Sequence, residues 1–541
     1  MTAAFSAERL LFDPATPKAD AIATIFAFPN DYTVGITSLG YQVVWATLAM
    51  RSDVQVSRLF MDGHEPLPTQ PELVGFSLSW ELDYVNVLTL LERLEVPLHT
   101  STRTADHPLV FGGGPVLTAN PEPFAAFFDV ILLGDGETLL DDFVTTYQQV
   151  RNADRTTQLQ HLAQVPGIYI PSLYHVTYQD TQGAIASIQP ISSHIPAIVE
   201  KQTYRGNVLS ASTVVTEKAA WENIYMVEVV RSCPEMCRFC LASYLTLPFR
   251  TASLEASLIP AIERGLTVTN RLGLLGASVT QHPEFETLLD YLSQPQFDDV
   301  RLSLASVRTN TVTQKLAEVL VKHDSRSITI AVESGSDRLR QIINKKLTND
   351  EIIQAAINAK AGGLSALKLY GMVGIPGEVS TDLDQTIAML RDIKRAAQGL
   401  RLTYGCSTFT PKAHTPFQWF GVNTDAEKRL KTLQKQLRSQ GIDFRPESYN
   451  WSVIQTLISR GDRRLTPLLE LTRHYGDSLG SYRRAFKALQ NQLPPLDYYV
   501  HQPWSTEQTL PWEHLKGPLP KQTLLKHLES AKEHFPTFAA V

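Results

Sequence analysis

Three of the four cysteines in this 541-residue chain fall within the segment RSCPEMCRFC, at Cys233, Cys237 and Cys240. A deprotonated cysteine sulfur is both a nucleophile and a soft metal ligand, so a C-x3-C-x2-C run points to a metal centre or a catalytic thiol. Four cysteines are too few to staple a chain of this length with disulfides. A structural zinc ion wants four ligands. No histidine lies between Trp221 and Arg271, which leaves Cys406, brought in by long-range folding, as the one further thiol. A cubane iron–sulfur cluster has four irons, and three cysteines would leave one of them open to a substrate or cofactor. The run lacks the paired CxxC form of a zinc site, which favours the cluster over zinc.

The elements around the run must position it. Residues 222–410 repeat apolar runs at NIYMVEVV, RLGLLGAS, VRLSLAS, SITIAVES, ALKLYGMVG and LRLTYGCSTF, mostly separated by helical patterns. One helix should open with the capping box Thr348–Glu351 and another near the acids Asp382 and Asp384. Six such units predict a parallel (β/α) barrel, whose chemistry sits at the carboxyl ends of the strands. The cysteines directly follow the first of these strands. Residues 20–150 carry a similar rhythm at DYTVGITS, VQVSRLFM, LVGFSLSW, PLVFGGG and FDVILLGDGE, which predicts an open parallel sheet with crossover helices. Residues 151–215 read as a strand-like stretch and a polar connector. Residues 421–541 read as helical, with no strand series and an excess of basic residues. The Leu430, Leu433 and Leu437 stripe belongs to a helix whose charge reads as a solvated face. The composition, 43% hydrophobic and 19% charged, is that of a folded chain with room for three or four domains. No apolar run approaches the roughly 18–20 residues that span a bilayer. The start, MTAAFSAERLLFDP, lacks the basic and apolar parts of a signal peptide. A cytoplasmic protein without a membrane partner is therefore expected. A net charge of −6 and the lack of a recognisable module argue against nucleic acid.

With Phe239 just before its last cysteine, the run resembles the signature of the radical S-adenosylmethionine (SAM) superfamily, and the resemblance extends over residues 222–410. It implies a partial (β/α)6 TIM-type barrel and a 4Fe–4S cluster held by Cys233, Cys237 and Cys240. It also implies reductive cleavage of S-adenosylmethionine to a 5′-deoxyadenosyl radical, and an electron donor such as ferredoxin or flavodoxin. In that family a Gly-rich segment, often Gly-Gly-Glu, meets the amino group of S-adenosylmethionine. Here it reads Gly276-Ala277-Ser278, without the acid. In SLASVRTNT the resemblance offers Ser306 and Arg308 for the ribose or carboxylate. In IAVESGSDRLRQIINKKLT it offers Glu333 and Ser334 for ribose hydroxyls and Arg340 for a carboxylate. In LYGMVGIPGE it offers Gly374, Ile375 and Gly377 for adenine. The segment FTPKAHTPFQW is similar to a bacterial branch that joins such a barrel to a front sheet and a C-terminal extension. Its His414 and Trp419 read as loop packing.

The front zone resembles the cobalamin-binding domains that precede many such barrels, through VGFSLSWELDY, PLVFGGGPVLTANPEP and FDVILLGDGE. That implies cobalamin as a third cofactor, approached by Ser77, Gly112, Gly113 and Gly114 at the carboxyl edge of the sheet. The family's Asp-x-His-x-x-Gly motif is not matched. Asp62-Gly63-His64 lacks the glycine, and His64 reads as an exposed loop residue. The expected class is α/β. It comprises an N-terminal doubly wound, Rossmann-like parallel sheet with its connector (1–200), a central partial barrel (215–420) and a mostly helical C-terminal extension (421–541). The expected reaction is radical SAM chemistry, with cobalamin-dependent methyl transfer as one form. Cobalamin-independent oxidation or rearrangement, or RNA modification, are the alternatives. A second all-cysteine cluster, as in methylthiolating enzymes, is excluded because only Cys406 remains. The substrate, small or macromolecular, is not legible.

Overall fold

The computed structural model describes residues 5–305 and 307–536. The front sheet comprises β1 (Ile22–Ala27), β2 (Val54–Leu59), β3 (Leu73–Ser77), β4 (Leu109–Gly113), β5 (Val130–Leu132) and β6 (Ile168–Tyr169), in the order β2-β1-β3-β4-β5-β6. The first five strands run parallel, and β6 pairs antiparallel with β5. β1, β3 and β4 are almost wholly buried, as parallel strands covered on both faces must be. Helices α1 (Leu39–Ala49) and α2 (Gly136–Val150) touch each other beside this sheet. One expected strand is absent. Asp31–Ser38 does not join the sheet, whose first strand lies just before it. Tyr32–Gly35 instead makes one helical turn, held by the Tyr32 N–H donating to Asp62 at 2.7 Å. The intervening Pro29 has no N–H for a ladder.

The six barrel strands expected from the apolar runs are present. They are β7 (Ile224–Arg231), β9 (Arg271–Gly276), β10 (Arg301–Leu304), β11 (Ser327–Glu333), β12 (Ala366–Val373) and β13 (Arg401–Thr408); the short β8 (Arg250–Thr251) pairs antiparallel at one edge. The helices between these strands include α3 (Asp337–Ile342), α4 (Asn349–Ala361) and α5 (Ser380–Ala396), and α4 opens with the expected capping box at Thr348 and Glu351. The sheets β8-β7-β9-β10 and β11-β12-β13-β14 meet through a parallel bridge between Val307 and Ile330. β14 (Asp443–Pro446) is an unexpected seventh parallel strand, drawn from the extension that read as strandless. Its four residues, two of them charged and one proline, carry no period for a sequence pattern to catch. Burial alternates strictly along β11: Ile328, Ile330 and Val332 pack outward, while Thr329, Ala331 and Glu333 face the lumen.

The extension includes α6 (Ala426–Ser439), α7 (Tyr449–Arg460) and α8 (Lys521–Lys532). The Leu430, Leu433 and Leu437 stripe of α6 is buried in the barrel's core. Val453, Ile454 and Leu457 of α7, with Leu524 and Leu528 of α8, join the core of the front sheet. Fully burying each such side chain contributes about 1.5–3 kcal/mol. Polar struts tie the same parts together. Lys412 pairs with Glu81 and donates to Ser459 Oγ at 2.9 Å, and Arg463 donates to Glu122 at 2.7 Å. His414 lies within hydrogen-bonding distance of the Ala119 carbonyl, at 3.1 Å, and Trp419 is buried, so both pack the loop as expected. Among the described residues, no helix is long and apolar enough to cross a membrane.

Candidate functional site

β7 carries the chain to the barrel's carboxyl end, where the cysteine loop turns through left-handed Ser232 (φ 71) and Met236 (φ 56). Hydrogen bonds hold this turn. Ser232 Oγ donates to the Ala242 carbonyl at 3.0 Å, and Asn344 Nδ2 donates to the Met236 carbonyl at 2.8 Å. Arg238, between two of the cysteines, turns away from them and donates to the Gln341 and Ile342 carbonyls, both at 2.7 Å. The result is a loop whose three sulfurs border one cavity of about 240 Å3. Among the described residues no three His, Cys, Asp or Glu side chains converge on a single ion. All three thiols line this one cavity, which fits a cluster of several metals. Burial pushes the Cys237 thiol up to about 12 and raises Cys240 as well, and the Lys345 ammonium opposes the rise at Cys237. Cys406 lies apart on β13, buried and outside this cavity.

Of the other expected residues, Phe239, Ala277, Arg308 and Glu333 line the same cavity. Arg308 pairs with Glu235 at 3.0 Å, and left-handed Glu333 (φ 62) pairs with Lys345 at 3.1 Å. The structure turns the rest elsewhere. Gly276 does not line the cavity; a Cβ there would sit 2.6 Å from the Val230 carbonyl oxygen, so strand packing demands the glycine. Ser334 lies 3.3 Å from Thr386 on α5 and accepts from the Ser336 N–H, away from the cavity. Arg340 is only 1% exposed and braces its own turn, donating to the Ser334 and Leu347 carbonyls and pairing with Asp337. Gly374, Ile375 and Gly377 form a turn packed on Ala426, the core and Phe535, not the cavity wall. Ser306 lies outside the described residues. The sequence reading missed Glu235, Lys345 and Tyr370. All three sit inside segments already quoted, but only the folded register shows that they face the cavity. Glu235 is held by Arg308 and, at 2.6 Å, by Gln281, which in turn accepts from Ser278. A carboxylate thus stands beside the Gly276–Ser278 segment whose own acid is missing.

A second cavity, about 250 Å3, opens at the carboxyl edge of the front sheet, against α1 and α2. Ser77, Gly113 and Gly114 line it as expected, with Ser79 and Arg231. Gly112 does not: a Cβ there would strike Leu117 and Phe128 at 2.6 Å, so it is a packing glycine. Gly40, Gly113 and Gly136 differ, because a Cβ at any of them would meet no atom closer than 3.7 Å. Absent side chains, not tight packing, keep this space open, and that fits a bulky ligand. No histidine lines it, and His64 is exposed, its Nδ1 2.7 Å from the Glu65 carbonyl oxygen. Arg231 lines the second cavity and pairs with Glu137 at 2.7 Å, while Cys233, two residues on, borders the first. The end of β7 therefore separates the two spaces.

Comparison with known proteins agrees with this layout. Residues 227–390 match the model of the radical SAM superfamily, and residues 49–171 match that of radical SAM proteins, N-terminal. The chain belongs to the radical SAM superfamily. That family's cofactors are a 4Fe–4S cluster and S-adenosylmethionine, and the three thiols around one cavity are the donor set such a cluster takes. An uncharacterised protein of Methanocaldococcus jannaschii is 26% identical to this radical SAM chain over 452 residues, 83% of this chain and 90% of its own length. A tRNA-2-methylthio-N(6)-dimethylallyladenosine synthase of Ehrlichia canis is 24% identical over 234 residues, 41% of this chain and 52% of its own. The structure of the radical S-adenosylmethionine methyltransferase TsrM from Kitasatospora setae, with cobalamin and a 4Fe–4S cluster bound, aligns with 87% of this chain and 99% of its own. Its TM-score is 0.53 and its identity 13%, so the likeness is one of fold.

Proposed function

We propose that this radical SAM enzyme binds cobalamin in the front cavity and transfers a methyl group to an organic substrate in the barrel. The observation that carries the reading is the pair of cavities divided by the end of β7. The solved TsrM structure, alike in fold, holds cobalamin and a cluster together. When bound, the cluster supplies the electron that cleaves the sulfonium, and cobalamin supplies a methyl carrier.

The chain's own residues would do the following. Cys233, Cys237 and Cys240 hold three irons and leave the fourth to S-adenosylmethionine. Cys237 and Cys240, whose protons burial otherwise retains, would give them up on taking the cluster. Lys345, kept charged by Glu333, offsets the negative charge of the sulfurs. Glu235 accepts from the ammonium of S-adenosylmethionine, in place of the acid absent at Gly276–Ser278. The open glycine edge at Gly40, Gly113 and Gly136 admits the corrin's nucleotide tail, with no imidazole to bind cobalt. A ferredoxin or flavodoxin delivers the electron. RNA methylthiolation is disfavoured, because Cys406 is buried and alone.

The test is anaerobic reconstitution with iron, sulfide and hydroxocobalamin. Stoichiometric retained corrin together with 5′-deoxyadenosine supports the reading. 5′-Deoxyadenosine without retained corrin leaves a cobalamin-independent radical enzyme and overturns the methyl-transfer proposal.

A further inference from the structure

A barrel interior is normally filled by packed side chains. This one is not. Beside the cluster cavity lies another of about 350 Å3, walled by the inner faces of β12, β13 and β14, and the two share Glu333 and Tyr370. Strand register lays out its wall. Thr329, Lys368, Thr403 and Asp443 stand level on the adjacent strands β11 to β14; Thr329 lies on the cluster-cavity side, and Thr403 Oγ1 donates to Asp443 at 3.3 Å. Neighbouring strands are about 4.8 Å apart, so the Thr329 hydroxyl stands beside the ammonium. Lys368 makes no hydrogen bond or ion pair among the described residues. The other basic group on the wall, Arg445, is already held by Asp443 at 2.9 Å. The next level up is Ala331, Tyr370, Gly405 and Arg445. A Cβ at Gly405 would lie 2.9 Å from the Tyr370 ring, so the glycine lets the ring lie across the wall. Tyr370 is 55% exposed, a flat apolar face with nothing packed over it. Glu333, paired in register with Gly371, stands three residues above Lys368 and borders the cluster cavity.

Resting on the radical SAM reading, we propose that this lumen selects an organic oxyanion. Lys368 and the adjacent Thr329 hydroxyl bind a carboxylate or phosphoryl head. Tyr370 carries the apolar body, and the hydrogen-donating carbon lies about 10 Å from the head, three strand residues at roughly 3.3 Å each. Lys368 is exposed to the open lumen, and its unpaired ammonium favours an anion over its neutral isostere by charge-assisted hydrogen bonding. Tyr370 favours a flat body over a branched one.

The anaerobically purified full chain is titrated with 3-phenylpropionate, phenyl phosphate and the neutral 3-phenylpropionamide, followed by saturation-transfer NMR. One of the two anions should bind at least about tenfold more tightly than the amide, and the tighter one identifies the head group. Lys368→Met should erase that preference and Lys368→Arg should keep it, with the melting temperature of each checked against wild type. Equal binding of acid and amide, an unchanged preference in Lys368→Met, or no binding of either anion at millimolar concentration overturns the proposal. The radical reading fails separately, if wild-type protein forms no 5′-deoxyadenosine.

Discussion

Glu235 is the residue whose role the structure changes most. It sits inside the cysteine run, yet Gln281 and Arg308 aim it at the segment where the acid of the Gly-rich motif is missing. Glu235→Gln should raise the Kd for S-adenosylmethionine about tenfold, or ~1.4 kcal/mol, while iron content stays at the wild-type level. Equal Kd values by equilibrium dialysis would remove it from the site. His414 shows the opposite kind of residue, a titratable group serving the fold. Burial holds its pKa down to about 4, against about 6.5 in the unfolded chain. As pH falls, the unfolded chain takes up the proton first. The stability His414 contributes is therefore complete above about pH 6.5 and drains toward pH 4, by up to about 3 kcal/mol. Urea unfolding at pH 7.5 and 4.5 should show His414→Gln losing less stability over that interval than wild type. Parallel losses would show that the proton goes elsewhere.

The element that matters most after β7 is α8, the last helix described. It reaches back over the cysteine loop: Ser530 Oγ accepts from Arg238 at 3.0 Å, and His527 Nδ1 lies 2.7 Å from Tyr244 OH. Tyr244 OH also donates to the Met236 carbonyl, and Arg238 is the residue between Cys237 and Phe239. A loop clamped from behind should release iron slowly. His527→Phe combined with Ser530→Ala should speed iron loss to a ferrous chelator about tenfold while the starting iron content stays normal. An unchanged rate would make α8 a mere cover. None of this was legible in the sequence, because α8 lies nearly three hundred residues from the loop, with no motif marking the contact. What was legible had local cause: the six barrel strands from apolar runs, the Thr348 capping box, and the cysteine spacing. Ser334, Arg340 and Gly112 were misassigned for one shared reason. A motif names a residue, but only the register says which face it takes, and all three face the packing side. Asp31–Ser38 misled through composition alone, and β14 had too few residues to leave a pattern.

At the scale of the molecule, the front sheet shares one core with α7 and α8 of the extension, the barrel shares another with α6, and the cluster loop lies where they meet. Arg231 marks the junction, held by Glu137 of the front domain and Glu228 of the barrel. This placement makes the two cavities separable by mutation. Gly40→Leu would fill open space at the front edge, where a Cβ meets nothing within 4 Å. It should abolish corrin retention and leave cluster iron unchanged; full corrin retention by the variant would place cobalamin elsewhere or nowhere. The central claim is narrower than methyl transfer: three thiols hold a cluster with one open iron that cleaves S-adenosylmethionine. It is tested most directly by counting 5′-deoxyadenosine and iron together, in reduced, anaerobically reconstituted wild type and Cys237→Ala. The account predicts 5′-deoxyadenosine and about four irons per chain in the wild type, and loss of both in the variant. Wild-type protein that holds only zinc, or a Cys237→Ala protein that keeps its iron and its product, would contradict it.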